Sequence, residues 1–164
     1  MAWMQSGQAD KAVAVLRAEL GRRRDHVVPY IFAVALLRSG VDPATPAAAE
    51  AVDALRASIR ANPAFAPART ELGRLLLKGD QADAAVEELE KAVALDPAST
   101  PALYALAQAY QKKGDRARAQ EMALRVSRLN AQERGDDPDG ELRRAVARIV
   151  REGTSPPRPP GVTR

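Results

Sequence analysis

A pattern that returns every 34 residues constrains the fold of this chain more than any other feature of its sequence. Residues of the same kind recur at this spacing in the pairs Pro63/Pro97, Leu72/Leu106 and Ala85/Ala119. The two clearest copies span residues 66–99 and 100–133. Self-similarity at a period of this length is the signature of stacked supersecondary units. The sequence therefore predicts a repeat architecture, whatever each unit contains.

The composition indicates that these units are helical. Apolar residues make up 46% of the 164 residues, but aromatic residues only 4%, so the core must consist of Ala, Leu and Val. Such a core favours close helix packing, whereas sheets are enriched in β-branched and aromatic residues. The length suits one domain. The absence of cysteine excludes disulfides, thiolate catalysis and cysteine metal sites.

The spacing within each copy predicts a pair of helices. Apolar residues recur at helical spacing at Leu72 and Leu76, and at Leu106 and Tyr110 in the next copy. In each copy a Gly-Asp pair, at 79–80 or at 114–115, ends the first helix. The second helix of the first copy ends at Asp96-Pro97. Small residues that would let paired helices approach closely follow the same period: Gly73, Ala85 and Ala92, matched by Ala107, Ala119 and Val126.

These motifs resemble the tetratricopeptide repeat, a pair of antiparallel helices used mainly to hold other proteins. The resemblance implies an all-α, right-handed α-solenoid of about 3.5 repeats, followed by a C-terminal capping helix. The expected solenoid domain covers residues 1–152, and residues 153–164 are expected to be a disordered Pro-rich tail. Within the solenoid we expect a half repeat at 1–24, a divergent repeat at 26–63, the repeats 66–99 and 100–133, and the capping helix at 139–152.

The earlier copies depart from the pattern. The divergent repeat has a connection, Gly40 to Pro46, that is roughly five residues longer than the standard turn, and it is either a neutral insertion or a binding loop. Residues Trp3 to Gly7 resemble the end of a first helix. A solenoid unit cannot bury its apolar face alone, so Trp3, Leu16 and Leu20 would leave an edge partly uncovered. We expect an upstream segment to be missing, with self-association through this edge or self-coverage by Trp3 as alternatives.

The resemblance also implies where a ligand would bind. In this family the first helix of each pair lines a concave groove that holds peptides or partner helices. Matching positions predict a mildly basic groove suited to an acidic peptide or a carboxylate terminus. An ordinary solvated face is the alternative for its individual residues. The family's carboxylate clamp is not supported, because its lysine and asparagine positions hold other residues. The candidate peptide- or partner-binding residues are Arg38, Thr70, Arg74, Lys78, Tyr104, Gln108, Gln111 and Lys112, accompanied by Ile31, Ala35 and Leu77.

Little in the sequence points to chemistry. His26 is the only histidine, and three aspartates at 136, 137 and 139 lack the spacing of a calcium loop, so we expect no metal site and no cofactor. No phosphate-binding glycine loop or nucleophile motif is present, and we expect a non-enzyme. Residues 62–134 carry 11 Lys or Arg against 10 Asp or Glu, so the net charge of +4 is poor evidence for nucleic-acid binding. No signal peptide or membrane span is recognisable, which leaves the compartment open, with the cytoplasm as the default.

The function predicted from this pattern is that of an adaptor that binds a protein or peptide in the groove. Two alternatives remain open. The chain could be a regulatory or substrate-presenting segment of a longer enzyme or of a secretion or assembly apparatus, or a self-associating structural scaffold.

Overall fold

A computed structural model describes residues 6–20, 25–40 and 42–133 of the chain, without the side chains of residues 6–10 and 133. This part contains seven α-helices and no strand. In chain order they are α1 (Ser6–Leu20), α2 (Val27–Arg38), α3 (Pro46–Ala61), α4 (Ala66–Lys78), α5 (Ala82–Leu95), α6 (Thr100–Lys113) and α7 (Arg116–Glu133). The chain divides into two compact units, 1–127 and 128–164. The description below concerns the first.

The helices pack in sequential order. From α1 to α6 each helix contacts the next one, and α4 also contacts α6, the first helix of the following pair. The helix α7 lies beside α6, where the Arg118 guanidinium stands 5.3 Å from the centre of the Tyr110 ring. This arrangement confirms the all-α architecture of helix pairs expected from the 34-residue period.

The core runs along the interfaces between helices and is built mainly from Ala, Leu and Val, as the composition predicts. Phe32, Leu55, Leu89 and Leu103 are its largest fully buried apolar side chains. The close approach of α4 to α5 depends on Gly73, because a Cβ atom built there would lie only 2.4 Å from Leu89 Cγ. The predicted role of this glycine in close helix packing is therefore confirmed.

The turns inside the repeats keep the 34-residue period in their backbone conformation, although the Gly-Asp pairs at 79–80 and 114–115 are 35 residues apart in the sequence. The residue with left-handed backbone is Asp80 after α4, at φ 60°, and Gly114 after α6, at φ 81°. These two positions are 34 residues apart. Aspartate is one of the few residues other than glycine that adopt this conformation. The long connection of the divergent repeat is also confirmed: residues 39–45 join α2 to α3, against residues 79–81 between α4 and α5.

Polar contacts join the helices of the α2–α3 pair and of the α4–α5 pair. The hydroxyl of Ser58 on α3 is fully buried and donates to the carbonyl of His26, at 2.6 Å, immediately before α2. On α4, Arg69 donates to Glu88 of α5 at 2.8 Å, and Lys91 donates to the same carboxylate at 2.9 Å. Burial by itself would raise the pKa of Glu88, but these two hydrogen bonds outweigh it and the pKa is lowered.

Several sequence predictions fall on residues outside the described ranges. These are the edge role of Trp3, the three aspartates at 136, 137 and 139, the capping helix at 139–152 and the Pro-rich tail at 153–164. Helix α1 is continuous from Ser6 to Leu20, so Gly7 lies within that helix and does not end a preceding one. The proposed domain boundaries remain predictions.

Candidate functional site

The first helices of the successive pairs, α2, α4 and α6, carry all of the predicted binding residues. Exposed residues on α4 and α6 correspond one repeat apart: Arg74 with Gln108, and Lys78 with Lys112. Because α4 packs against α6 and the two helices share the 34-residue period, these residues lie on corresponding faces. Two concavities open along this series of helices.

The first concavity, here called the basic pocket, lies between α2 and α4 and has a volume of about 310 Å³. It contains three of the predicted binding residues, Arg38, Arg74 and Lys78, and all three are exposed. Its complete lining is Tyr30, Val34, Leu37, Arg38, Glu71, Arg74, Leu75 and Lys78.

The basic pocket holds three cations against one carboxylate. Arg74 is partly neutralised, because its Nη1 lies 3.2 Å from Glu71 Oε1 on the same helix. Arg38 and Lys78 have no ion-pair partner among the described residues. Burial and, to a lesser extent, the Glu71 carboxylate raise the pKa of Tyr30, whereas Arg38 lowers it, with a net rise. The phenol therefore stays protonated at neutral pH and can donate a hydrogen bond.

The second concavity, here called the apolar groove, lies between α6 and α7 and has a volume of about 820 Å³. Small apolar side chains from both helices form much of its lining, and exposed polar side chains form its border. The lining residues are Tyr104, Ala107, Gln108, Gln111, Gly114, Arg116, Ala119, Gln120, Ala123 and Val126.

The 34-residue period relates this groove to the preceding repeat. One repeat earlier the pair Gly73/Leu89 occupies the positions of Ala107/Ala123, and Leu89 is fully buried between α4 and α5. In that repeat α6 packs against both α4 and α5, whereas α7 is the last helix described and no described helix follows it over α6 and α7. Ala123 is exposed, and its small side chain accounts for only a minor part of a groove of this size.

Three further predicted residues line this groove. Tyr104 is 59% exposed. Gln108 and Gln111 are exposed beside it, and their amides can both donate and accept hydrogen bonds. Aromatic residues such as tyrosine are enriched in protein interfaces.

The remaining two predicted residues make contacts within the protein. Thr70 is only 5% exposed, and its hydroxyl donates to the carbonyl of Ala66 at 3.1 Å. Lys112 donates to the carbonyl of Leu77 at 3.0 Å and also pairs with Asp80, so its side chain joins the end of α6 to the end of α4. Neither residue lines either concavity.

Sequence reasoning did not identify the apolar walls of the groove as a site. The sequence pattern predicts helix packing for Ala107, Ala119 and Val126, and it gives no role to Ala123. The comparison of Leu89 with Ala123 at the 34-residue period gave only a partial signal, because the smaller side chain accounts for a minor part of the groove. Tyr30 and Glu71 of the basic pocket were also not identified.

Other kinds of site find little support in the residues described. Within ranges 6–20, 25–40 and 42–133, no group of three or more His, Asp or Glu side chains is placed to hold a metal ion. Among the same residues, no helix combines the length and apolar character required to cross a bilayer.

Comparisons by sequence identify the repeats directly. Residues 73–114 match the family described as "TPR repeat", and residues 100–133 match "Tetratricopeptide repeat". Neither is an enzyme family, and the fold is typically non-catalytic. No curated protein matches the chain by sequence.

Solved structures share the fold. A crystal structure of MamA is 22% identical with a TM-score of 0.70, and the match covers 81% of this chain and 75% of that one. MamA from Desulfovibrio magneticus RS-1 is also 22% identical with a TM-score of 0.65, covering 91% and 89%. YrrB, described as a TPR protein with an unusual peptide-binding site, is 18% identical with a TM-score of 0.65, covering 75% of this chain and 61% of that one.

Proposed function

We propose that this chain, which is a tetratricopeptide-repeat protein, binds an acidic segment of a partner protein in the basic pocket between α2 and α4. Tetratricopeptide-repeat domains generally mediate interactions between proteins, and the peptide-binding site named for YrrB supports a similar use of this fold. The observation that carries the proposal is the convergence of Arg38, Arg74 and Lys78 from two helices on one pocket.

The chemistry of the pocket favours a carboxylate ligand. Arginine offers a planar fork of donors that matches a carboxylate, and lysine adds a point charge. Two of the three cations lack ion-pair partners among the described residues, so a ligand need not displace an internal carboxylate to reach them. The Tyr30 phenol adds a neutral donor at the same pocket.

The mechanism would be recognition by charge and shape, without a chemical step. Exposed cations accelerate and orient the encounter with an acidic segment, and apolar residues such as Val34 and Leu37 supply contact area below them. Because the charges are exposed, the affinity should fall as salt rises and screens them.

A charge-reversal experiment tests the proposal. The full chain and a variant carrying Arg38→Glu, Arg74→Glu and Lys78→Glu are used for affinity capture from a lysate of the source organism. Each is also titrated with a fluorescein-labelled ten-residue peptide of alternating Asp and Ser, followed by fluorescence anisotropy. We expect the unmodified chain to bind the peptide and to retain a protein that the variant loses.

A matched control separates the pocket from the net charge. Lys11→Glu, Arg56→Glu and Arg60→Glu reverse three exposed cations on α1 and α3 and change the total charge by the same amount. This control should bind like the unmodified chain, and circular dichroism should show equal helicity for all three proteins. Equal loss of binding in both variants would mean that only net charge matters, and unchanged binding in the pocket variant would refute the site.

A further inference from the structure

We propose that Glu71 is the specificity-determining residue of the basic pocket. Its carboxylate competes with the ligand for Arg74, so the pocket binds its ligand through Arg38 and Lys78 and is matched by two acidic side chains of the partner. This inference rests on the proposed function of the basic pocket. It adds the number of acidic groups that the ligand carries and the residue that determines this number.

The first step is that Glu71 already occupies Arg74. The two residues are three positions apart on α4, and Glu71 Oε1 lies 3.2 Å from Arg74 Nη1. A ligand must lose translational and rotational freedom to reach the same guanidinium, whereas a neighbour on the same helix does not. A second carboxylate at Arg74 would also be repelled by the first, because both carry negative charge. Glu71 therefore has the advantage in the competition for Arg74.

The second step is that the Glu71 carboxylate lies at the pocket itself, where the ligand would bind. Glu71 lines the pocket together with Tyr30, which belongs to the facing helix α2. Burial raises the pKa of Tyr30, and the Glu71 carboxylate raises it further. The negative charge of Glu71 thus acts across the pocket from α4 to α2, and it acts in the same way on an acidic group of a ligand placed between these helices.

The third step is that Arg38 and Lys78 remain available on opposite walls. Arg38 belongs to α2 and Lys78 to α4, and both are exposed, without an ion-pair partner among the described residues. The corresponding lysine one repeat later is engaged, because Lys112 donates to the carbonyl of Leu77 and pairs with Asp80. In the part of the chain that the structure describes, the pocket therefore keeps one unpaired cation on each wall.

One unpaired cation on each wall matches two acidic side chains of an extended segment. Side chains at alternate positions of such a segment point to the same side and lie about 7 Å apart. Neighbouring packed helices are about 8–10 Å apart, and the long side chains of arginine and lysine can close the remaining distance. The predicted ligand therefore carries two acidic residues at alternate positions, and a third finds no further unpaired cation among the residues that line the pocket.

The experiment measures the affinity of the full chain for fluorescein-labelled ten-residue peptides by fluorescence anisotropy at low ionic strength, where screening is weak. The peptides carry one, two or three aspartates at alternate positions in a Gly-Ser background. For the unmodified chain we expect the second aspartate to raise the affinity about fivefold, as a favourable exposed ion pair does. The third aspartate should raise it by no more than about twofold, because it only offers a second register on the same two cations.

Two variants test the competition for Arg74. Glu71→Gln removes the competing charge and keeps the size of the side chain, so the third aspartate should now raise the affinity about fivefold. Adding Arg74→Gln to this variant should abolish that gain, because it removes the cation that was released. Glu87→Gln is the matched control, since it removes the same charge at an exposed position of α5 outside the basic pocket. It should behave like the unmodified chain, and circular dichroism should show equal helicity for all four proteins.

The outcomes separate this inference from the proposed function. If the peptide with two aspartates binds and Glu71→Gln leaves the whole peptide series unchanged, the role of Glu71 is refuted and the basic pocket stands. A gain that survives the added Arg74→Gln, or that Glu87→Gln also produces, overturns the competition for Arg74. A gain of about fivefold from the third aspartate in the unmodified chain overturns the number of two acidic groups. If no peptide binds to any of the four proteins, the proposed function is refuted as well.

Discussion

The packing of Gly73 against Leu89 leads to a quantitative prediction about Gly73→Ala. In an exposed helix interior, alanine in place of glycine would stabilise the helix by about 1 kcal/mol. Here the new Cβ would lie 2.4 Å from Leu89 Cγ and 2.8 Å from Leu89 Cδ2. Both distances are far inside the contact distance of carbon atoms, which is about 3.5–4.0 Å.

The clash should outweigh the gain in helix propensity. Leu89 is fully buried between helices, and the clash involves its Cγ rather than only the tip of the side chain, so the whole side chain must shift against packed neighbours. Overpacking of a core costs about 1–3 kcal/mol, so we expect Gly73→Ala to destabilise the protein by about 1–2 kcal/mol. In a domain of this size that corresponds to a fall in Tm of roughly 3–6 °C.

A double-mutant cycle isolates the contact. Leu89→Ala by itself should cost about 2–5 kcal/mol, because it leaves a cavity in the core. In that background the clash is gone, and Gly73→Ala should stabilise the protein by up to about 1 kcal/mol. The coupling between the two positions is then about 2–3 kcal/mol, measurable by urea denaturation followed by circular dichroism.

Gly79→Ala is the control for a glycine without this contact. Its Cβ would meet no atom closer than 3.6 Å, and its φ of −87° suits any residue. We expect a change within about 0.5 kcal/mol. The reasoning is refuted if Gly73→Ala leaves the stability unchanged or raises it, or if the effects at Gly73 and Leu89 simply add.

Three further predictions concern stability. Ser58→Ala removes the buried hydrogen bond to the His26 carbonyl and should cost about 1–3 kcal/mol in urea denaturation, with an unchanged helical spectrum. The pKa of Glu88 is lowered in the folded chain, so its contribution is present above the unfolded pKa of about 4.3 and is lost as pH falls through the folded value. Glu88→Gln should therefore be less stable than the unmodified chain at pH 7, with a difference that shrinks by pH 3. Phe32→Ala empties a fully buried site and should lower the unfolding free energy by about 3–5 kcal/mol.

The helices and the turns between them were predictable, because their boundaries depend on residues that are close together in the sequence. The 34-residue period, the helical spacing of the leucines and the Gly-Asp and Asp-Pro breaks fix where helices begin and end within a few residues. The position of the Gly-Asp pair predicted the turns less accurately. The residue with left-handed backbone keeps the 34-residue spacing, at Asp80 and Gly114, whereas the Gly-Asp pair does not. Aspartate tolerates that conformation, so the residue type differs between the two turns while their backbone conformation is the same.

The candidate site was predictable in part. Arg38, Arg74 and Lys78 meet at one pocket, whereas Thr70 is buried and Lys112 is bound to Leu77 and Asp80. Matching this sequence to the positions of the tetratricopeptide repeat places each residue on a face of a helix. It does not show which neighbouring side chains pack over that residue. The partners of a long side chain such as lysine depend on neighbouring helices, which the local sequence does not reveal.

The sequence by itself determined the class of this protein: a repeat of helix pairs with an Ala- and Leu-rich core. This follows because periodicity, helix propensity and the placement of glycine and proline act over a few residues. Only the tertiary structure decided which exposed side chains share a pocket and where packing leaves space. Those properties depend on contacts between residues far apart in the chain, as in the convergence of α2 and α4 on three cations and the open groove between α6 and α7.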